Sequence, residues 1–470
     1  MTQNRIHSLD DAFDNAMRDI HARIGSLSPQ FPKPRSIALA YSGGLDSAVL
    51  LHLAHRFARA NGVTLYAFHI HHGLSPNADH WLEHCRQTSA VLEIAFDARR
   101  VSLTQKDESG TEEAARNARY AALGAMCAQH DVGLLLTAHH LDDQAETVLL
   151  QLLRGSGVAG LSGMDVANHA PTLLGNASLV MARPLLALSR AILEQFASER
   201  EIRYIDDESN RDPRYARNAL RHQVMPQLAA CFPGFQQRFA RTAQHAQATQ
   251  RLLIEFAAQD LAACRVGDAL DVNRIKHLST DRADNLLRYW FGSRGMRMPS
   301  TAWLSEMRTQ LFEAKADAQL CVTHPDCHIR RHRDHVYITP RFDQDYFDVE
   351  PLDFVWNGEA SLHFPVFHGT LYFDADETGI AVDWLRGRSC VIHYRQGGER
   401  LKPAANRPTK SLKYHYQAMD IPAWEREQLP MVSSGGKLLF AAGLGMDCAQ
   451  VGRGVIDRIS IRWQVDGAQS

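Results

Sequence analysis

Between residues 35 and 154, short apolar runs alternate with longer helical stretches, and this alternation restricts the fold more than any other feature of the chain. RSIALAY (35–41) leads into the helical AVLLHLAHRFARA, and VTLYAFHI (63–70) precedes the helical NADHWLEHCRQTSAVL. A third strand lies within EIAFDARRV. The Ala-rich TEEAARNARYAALGAMCAQH is followed by VGLLLTAH (132–139), and DDQAETVLLQLLR returns to helix. Parallel strands need crossover connections, and helices supply them. The pattern therefore predicts an α/β fold, a mostly parallel doubly wound sheet with helices on both faces.

After RGSGVAGLSGM (154–164) the texture changes. Residues 165–180 read as a Gly/Asn/Ala loop, and MARPLLALSR leads into a helix. Residues 201–228 form a polar, Arg-rich linker that turns helical near Ala216. Residues 228–315 read as helical throughout, and β-type patterns take over from about 319 (CHIRRHRDHVYITP, SLHFPVFHGTLYF, RSCVIHYR). Three blocks are expected: an α/β domain at 1–222, a helical domain at 223–340 and a mainly β domain at 341–470. A chain of 470 residues accommodates them at roughly 150 residues per domain.

Composition excludes several classes. No run approaches the ~18 apolar residues of a membrane helix, so no span is expected. MTQNRIHSLDDAFDNAMRD has no apolar core and does not read as a secretory signal. The 8 cysteines are scattered without a C-x-x-C pair. A disulfide framework or all-cysteine zinc site is not expected, and a reducing cytoplasm is.

The chemistry concentrates in two segments. SGGLDS (Ser42, Gly43, Gly44, Leu45, Asp46, Ser47) sits between a strand and a helix. Paired glycines admit a ligand close to the backbone, and the helix aims free N–H groups at the same point. Ser42 and Ser47 add hydroxyl donors, and Asp46 is placed to hold Mg²⁺ bridging phosphates. The loop lacks the lysine of a Walker A motif. The second segment is HHLDDQAET (139–147), where helical spacing lets His139, Asp143 and Glu146 converge. Such a cluster can orient an amine, act as a general base or bind metal.

SGGLDS resembles the pyrophosphatase loop of the PP-loop ATP-pyrophosphatase superfamily. With HHLDDQAETVLLQLLRGSGVAGLSGM it closely resembles the tRNA(Ile)-lysidine synthase family. HIHHGLSP (69–76), AARNARY (114–120), RPLL (183–186) and DESNRDPRYARNALRHQVMPQL fit the same family. So do RQGGERLKP, SLKYHYQAMDIPAWEREQLP and LLFAAGLGMD near the end. Related tRNA thiolases share the loop but use paired cysteines, which are absent, and Cys85 and Cys127 read as packing residues. The resemblance implies an ATP- and Mg²⁺-dependent ligase joining L-lysine to C2 of the wobble cytidine in the CAU anticodon of the minor isoleucine tRNA. An adenylated cytidine is the implied intermediate, with AMP and pyrophosphate released. It casts Asp46 as catalytic and Mg²⁺-binding, and His139, Asp143 and Glu146 as lysine-positioning and base residues. Arg116, Arg119 and Arg154 become candidate phosphate or RNA contacts. The later blocks become tRNA-binding, and the oligomeric state stays open, a homodimer included.

Residues 386–414 carry Arg386, Arg388, Arg395, Arg400, Lys402, Arg407, Lys410 and Lys413 against one acid, Glu399. Such a stretch suits phosphate neutralisation despite the net charge of −2. Arg203, Arg211, Arg214, Arg217 and Arg221 are nearly balanced by neighbouring acids and read as a charged linker. A non-catalytic ATP-sensing module predicts the Gly loop without the second acidic cluster or the RNA-binding extension.

Overall fold

Ile37 and Leu39 of the first strand are buried in one apolar cluster and Ala38 in another, so both faces of that strand are covered. A computed structural model describes residues 2–27, 35–71, 73, 77–101, 111–206, 216–315, 320–341, 349–404, 406–449 and 457–466. The chain divides into two compact units, residues 1–256 and 257–470.

In the first unit the elements run α1 (Thr2–Leu27), β1 (Ser36–Ala40), α2 (Leu45–Asn61), β2 (Thr64–His71), α3 (Ala78–Val91), β3 (Ala95–Arg100) and α4 (Thr111–Gln129). Next come β4 (Leu134–Leu136), α5 (Leu141–Leu153), α6 (Val158–Leu161), β5 (Ala167–His169), α7 (Pro171–Leu174), β6 (Val180–Ala182), α8 (Arg190–Glu199) and α9 (Ala216–Ala219). The sheet order is β3-β2-β1-β4-β6-β5. All pairs are parallel except β5 with β6. Strand side chains alternate between faces. Leu134, Leu136, Val180 and Ala182 join Ile37 and Leu39 against α1, α2 and α8. Leu135 and Met181 join Ala38 against Tyr120, Leu123, Met126 and Cys127 of α4.

The chain winds outward from β1 to β2 and β3 on one side and to β4 and β6 on the other. A crevice is therefore expected outside the carboxyl ends of β1 and β4. SGGLDS leaves β1 there, and HHLDD leaves β4. Topology alone brings the two segments together.

Three expectations need correction. The helix α1 is an addition to the expected elements, and Leu9, Phe13, Met17, Ile20 and Ile24 bury its helical stripe in the main core. The stretch 165–180 is not all loop, since it holds β5 and α7. β5 is an antiparallel edge strand, which needs no apolar run. Residues 228–315 are not helical throughout. Arg265–Val266 and Ala269–Asp271 form a hairpin around Gly267, whose φ is +58°.

That hairpin belongs to the second unit. It joins Cys321–Thr323, Cys327–His332 and His335–Pro340 in a five-stranded antiparallel sheet. Another antiparallel sheet orders Leu352–Val355, Ser389–His393, Met431–Ser434, Lys437–Ala441 and Gly445–Met446. A three-stranded sheet of Ser361–Phe364, Gly369–Ala381 and Arg458–Val465 shares its core, around Trp356, Leu371, Ile392 and Phe440. Among the described residues no helix is long and apolar enough to cross a membrane.

Candidate active site

The loop after β1 is held open from behind. Gly43 has φ +89°, and a Cβ there would stand 2.9 Å from both Cys85 Sγ and Ile205 Cδ1. Ile205 N–H donates to the Gly43 carbonyl at 2.9 Å, and Gly44 and Ile205 form a parallel bridge. Gly44 caps α2 without a side-chain acceptor, so the first-turn N–H groups face the crevice uncapped. Ser47 Oγ donates to the Gly44 carbonyl at 2.9 Å and lies 3.0 Å from Ser42 Oγ. Leu45 is buried and anchors the start of the helix. Gly43→Ala is expected to cost about 2–4 kcal/mol through backbone strain and overpacking and to abolish measurable ATP binding in calorimetric titration. Parent-like binding would show the loop tolerates a side chain.

Asp46, in the first turn of α2, turns Oδ2 toward His140 Nε2 at 3.6 Å. Its Oδ1 is buried with no hydrogen-bond partner. A desolvated carboxylate oxygen without a donor suits a cation. Among the described residues no group of three or more His, Cys, Asp or Glu side chains could hold a metal by themselves. A cation at Asp46 would take its other ligands from phosphate and water, the habit of Mg²⁺.

The segment after β4 differs from expectation in which histidine meets the acids. His140, 1% exposed, lies 3.6 Å from Asp142 Oδ2 and 3.4 Å from Asp143 Oδ2, besides its contact with Asp46. Burial pulls its pKa down, but Asp142, Asp46 and Asp143 override this and raise it to about 10. His140 is therefore an imidazolium joining the two segments. His139 instead puts Nδ1 2.9 Å from Thr137 Oγ1. Burial, reinforced by Arg183, Arg217 and Arg116, drives its pKa to about 3. A base that weak cannot accept a proton from an ammonium of ordinary pKa about 10.4. The base role expected for His139 does not suit this environment. Asp142, one position before Asp143, serves other partners. Its Oδ2 accepts from Arg190 N–H at 2.8 Å at the start of α8, and its Oδ1 accepts from Gln236 at 3.3 Å.

Asp143 and Glu146 do converge, and they meet two arginines. Glu146, 1% exposed, accepts from Arg217 Nε at 2.8 Å, Arg221 Nε at 2.6 Å and Arg221 Nη2 at 3.0 Å. Asp143 Oδ1 accepts from Arg221 Nη2 at 3.0 Å and Arg217 Nη2 at 3.3 Å. Its Oδ2 accepts from His140 N–H at 3.1 Å. Arg217 lies on α9 and Arg221 in the π-helical turn Leu220–Val224. The balanced-linker reading overlooks both arginines. Their four-residue spacing, set against the three-residue spacing of Asp143 and Glu146, is the signal that could have found them. Arg211, Arg214 and the D-x-S-N residues 207–210 lie outside the described residues, as do residues 72 and 74–76 of HIHHGLSP.

The remaining candidates are dispersed. Arg116 is exposed and Arg119 half-buried on α4, and Arg154 is exposed at the end of α5. Cys85 and Cys127 are fully buried, and burial raises both thiols to about 12.

Comparison with known proteins decides the family. A PP-loop domain description matches residues 16–228, a TilS substrate binding domain 270–337 and a TilS substrate C-terminal domain 390–463. The tRNA(Ile)-lysidine synthase of Burkholderia pseudomallei is 41% identical over 469 residues, covering 93% of this chain and 94% of that relative. That of Ralstonia nicotianae is 39% identical over 437 residues, covering 89% and 91%, and that of Coxiella burnetii 36% over 409, covering 87% and 88%. The chain belongs to the tRNA(Ile)-lysidine synthase family.

In this lysidine synthase family member the basic stretch 386–414 is not one patch. Strand Ser389–His393 runs through it, with Arg386 and Arg388 before the strand and Arg395 onward after it. Arg388 stacks over Trp384 at 4.4 Å and Arg386 over Trp356 at 6.0 Å. Beyond the strand, Arg395 lies 3.7 Å from Glu399, Arg400 Nη2 donates to the Thr409 carbonyl at 3.0 Å, and Lys410 Nζ sits 3.6 Å above the Tyr414 ring. The half-buried Lys402 donates its N–H to Asp447 Oδ2 at 3.1 Å.

Proposed function

We propose that this chain joins L-lysine to C2 of the wobble cytidine in the CAU anticodon of the minor isoleucine tRNA, at the expense of ATP. The observation that carries the reading is the abutment of the two segments. His140 stands between Asp46 of the nucleotide loop and Asp143 of the acid pair. A reaction that first activates a base with ATP and then attacks it with an amine needs such adjacent half-sites.

In the first step the cytidine O2 attacks the α-phosphorus, the O2–P bond forms, and the bond to pyrophosphate breaks. The loop N–H groups at Gly44 and the start of α2 face the developing charge. Mg²⁺ on Asp46 would neutralise charge on the phosphates. In the second step a proton of the lysine ε-ammonium passes to the Asp143–Glu146 carboxylates, the freed amine attacks C2, and the C2–O2 bond breaks with AMP leaving with the electron pair. Asp143 and Glu146 supply carboxylates for the arriving ammonium. It replaces guanidinium contacts of Arg217 or Arg221, so one cation exchanges for another and Glu146 is never buried unpaired.

Blocks 223–340 and 341–470 bind tRNA by shape and charge on this reading. Changing Arg395, Arg400, Lys402 and Lys410 together to Ala is expected to raise the Km for tRNA and leave the Km for ATP unchanged. The log–log salt slope should fall by roughly 0.7–0.9 for every phosphate that is no longer neutralised. Parent-like tRNA binding at physiological ionic strength would assign the patch to solvent. The function itself is tested with ATP, labelled lysine and separate tRNA transcripts. Label should enter the minor isoleucine tRNA and not elongator methionine tRNA. Transfer to neither overturns the reading.

A further inference from the structure

The helix Phe235–Cys264 packs on α5 and holds it at two places. Phe235 is buried with Ala145 of α5 and with Met225, and Phe239 and Leu149 pack against the same cluster. Beside Phe235, Gln236 donates through Nε2 to Asp142 Oδ1 at 3.3 Å. Farther along, Gln247 donates through Nε2 to the Ser162 carbonyl at 2.8 Å and to the Met164 carbonyl at 3.1 Å. Positions 236 and 247 are about three helical turns apart, so both glutamines share one face of the helix. The fully buried Ala243 lies on that face between them.

The Met164 carbonyl is a shared acceptor. Gln144 of α5, 3% exposed, donates to it through Nε2 at 2.9 Å, and Gln144 Oε1 accepts the Met164 N–H at 2.8 Å. Gly163 has φ +57°, and a Cβ there would stand 2.8 Å from Gln144 Oε1. The turn therefore closes on the Gln144 amide only with glycine at this place. Gln247 thus reaches α5 through the 162–164 turn and Gln144, one residue beyond Asp143. Gln236 reaches it through Asp142, whose Oδ2 lies 3.6 Å from His140 Nδ1, while His140 Nε2 lies 3.6 Å from Asp46. The Gln236 amide is a neutral donor, so it fixes Asp142 without replacing His140 as the cation that Asp142 faces.

His140 caps α5, and Asp143 and Glu146 follow in its first two turns. The placement of this one helix against the nucleotide loop fixes all three side chains at once. A misplacement of about 1 Å can cost on the order of 10²-fold in rate, even when its cause is remote from the chemistry. We propose that Gln236 and Gln247 are positioning residues for the reaction, gripping α5 so that His140 stays against Asp46. Neither glutamine acts on a reacting group directly: one works through Asp142, the other through Met164 and Gln144. The readout rests on the two-step reaction proposed above.

The full-length protein is assayed with ATP, tRNA and labelled lysine, well below the Tm of each variant and with its fold checked by circular dichroism. Gln247→Leu keeps the bulk and removes both hydrogen bonds. It should lower kcat for lysine transfer roughly tenfold and leave the KM values for ATP, lysine and tRNA within about twofold. Gln247→Lys, which restores a donor of similar reach, should recover most of that rate. Gln236→Leu should slow pyrophosphate release by a similar factor, because Asp142 touches His140 and, through it, Asp46. The two Leu substitutions together should cost more than the product of their separate losses, since either grip alone still limits the drift of the helix. A pair that is merely structural lowers the Tm and leaves kcat at the parent value, and that result overturns the proposal. So does failure of Gln247→Lys to recover any rate. A raised KM for tRNA at unchanged kcat also overturns it, and would make Gln247 an RNA contact. A parent that releases pyrophosphate without attaching lysine overturns the functional reading instead, and pyrophosphate release by the Gln236→Leu protein still tests the grip.

Discussion

Asp46→Asn should reduce ATP- and tRNA-dependent pyrophosphate release by roughly a hundredfold or more, the loss expected when one electrostatic stabiliser of a developing anion is removed. Asparagine keeps the shape of the side chain, so the bridge from Ile205 to Gly43 and the fold should persist by circular dichroism. What changes is the charge on the buried oxygen that has no donor. His140 also loses one of the carboxylates that hold its pKa at about 10. Raising Mg²⁺ should recover part of the missing rate if the defect is metal affinity. Unchanged pyrophosphate release would remove Asp46 from the chemistry.

Glu146→Gln should separate the two steps. Pyrophosphate release in a single turnover should stay near the parent rate, while transfer of labelled lysine falls on the order of a hundredfold, as expected from a misplaced reactant. Adenylated tRNA should accumulate. Glu146 is the acceptor for three guanidinium N–H groups, so the substitution should also cost about 3 kcal/mol of stability, seen as a lower Tm. Glu146→Asp, which keeps the charge, controls for that loss. If pyrophosphate release fails first, Glu146 belongs to the nucleotide half.

How far the sequence reaches is clear from where these residues come from. β1, its loop and α2 are legible because apolar runs, paired glycines and a helical pattern agree over one contiguous stretch. The family motifs extend that legibility along most of the chain. The contact between Glu146 and Arg217 is not legible, since 71 positions separate the partners and a carboxylate looks alike whether it meets solvent or guanidinium. The choice between His139 and His140 is equally hidden. Adjacent residues at a strand exit face different directions, and only the tertiary setting decides which one meets Asp46. The hairpin at Arg265–Asp271 escapes because strands of 2 and 3 residues carry no period to detect.

The strand that divides the basic stretch bears on how tRNA affinity adds up. Ser389–His393 has 5 residues and, at about 3.3 Å per residue, puts roughly 16 Å of strand between Arg388 and Arg395. That exceeds both the distance over which substitutions usually couple, about 7–10 Å, and the Debye length of about 8 Å at physiological salt. The two clusters should act as thermodynamically independent contacts despite being neighbours in the chain. Neutralising both ends should change the free energy of tRNA binding by the sum of the separate changes. Pairs within one end, such as Arg400 and Lys410, should deviate from additivity. Proximity in this region is set by strand register, and a charge count along the sequence overstates how many cations any one phosphate can feel.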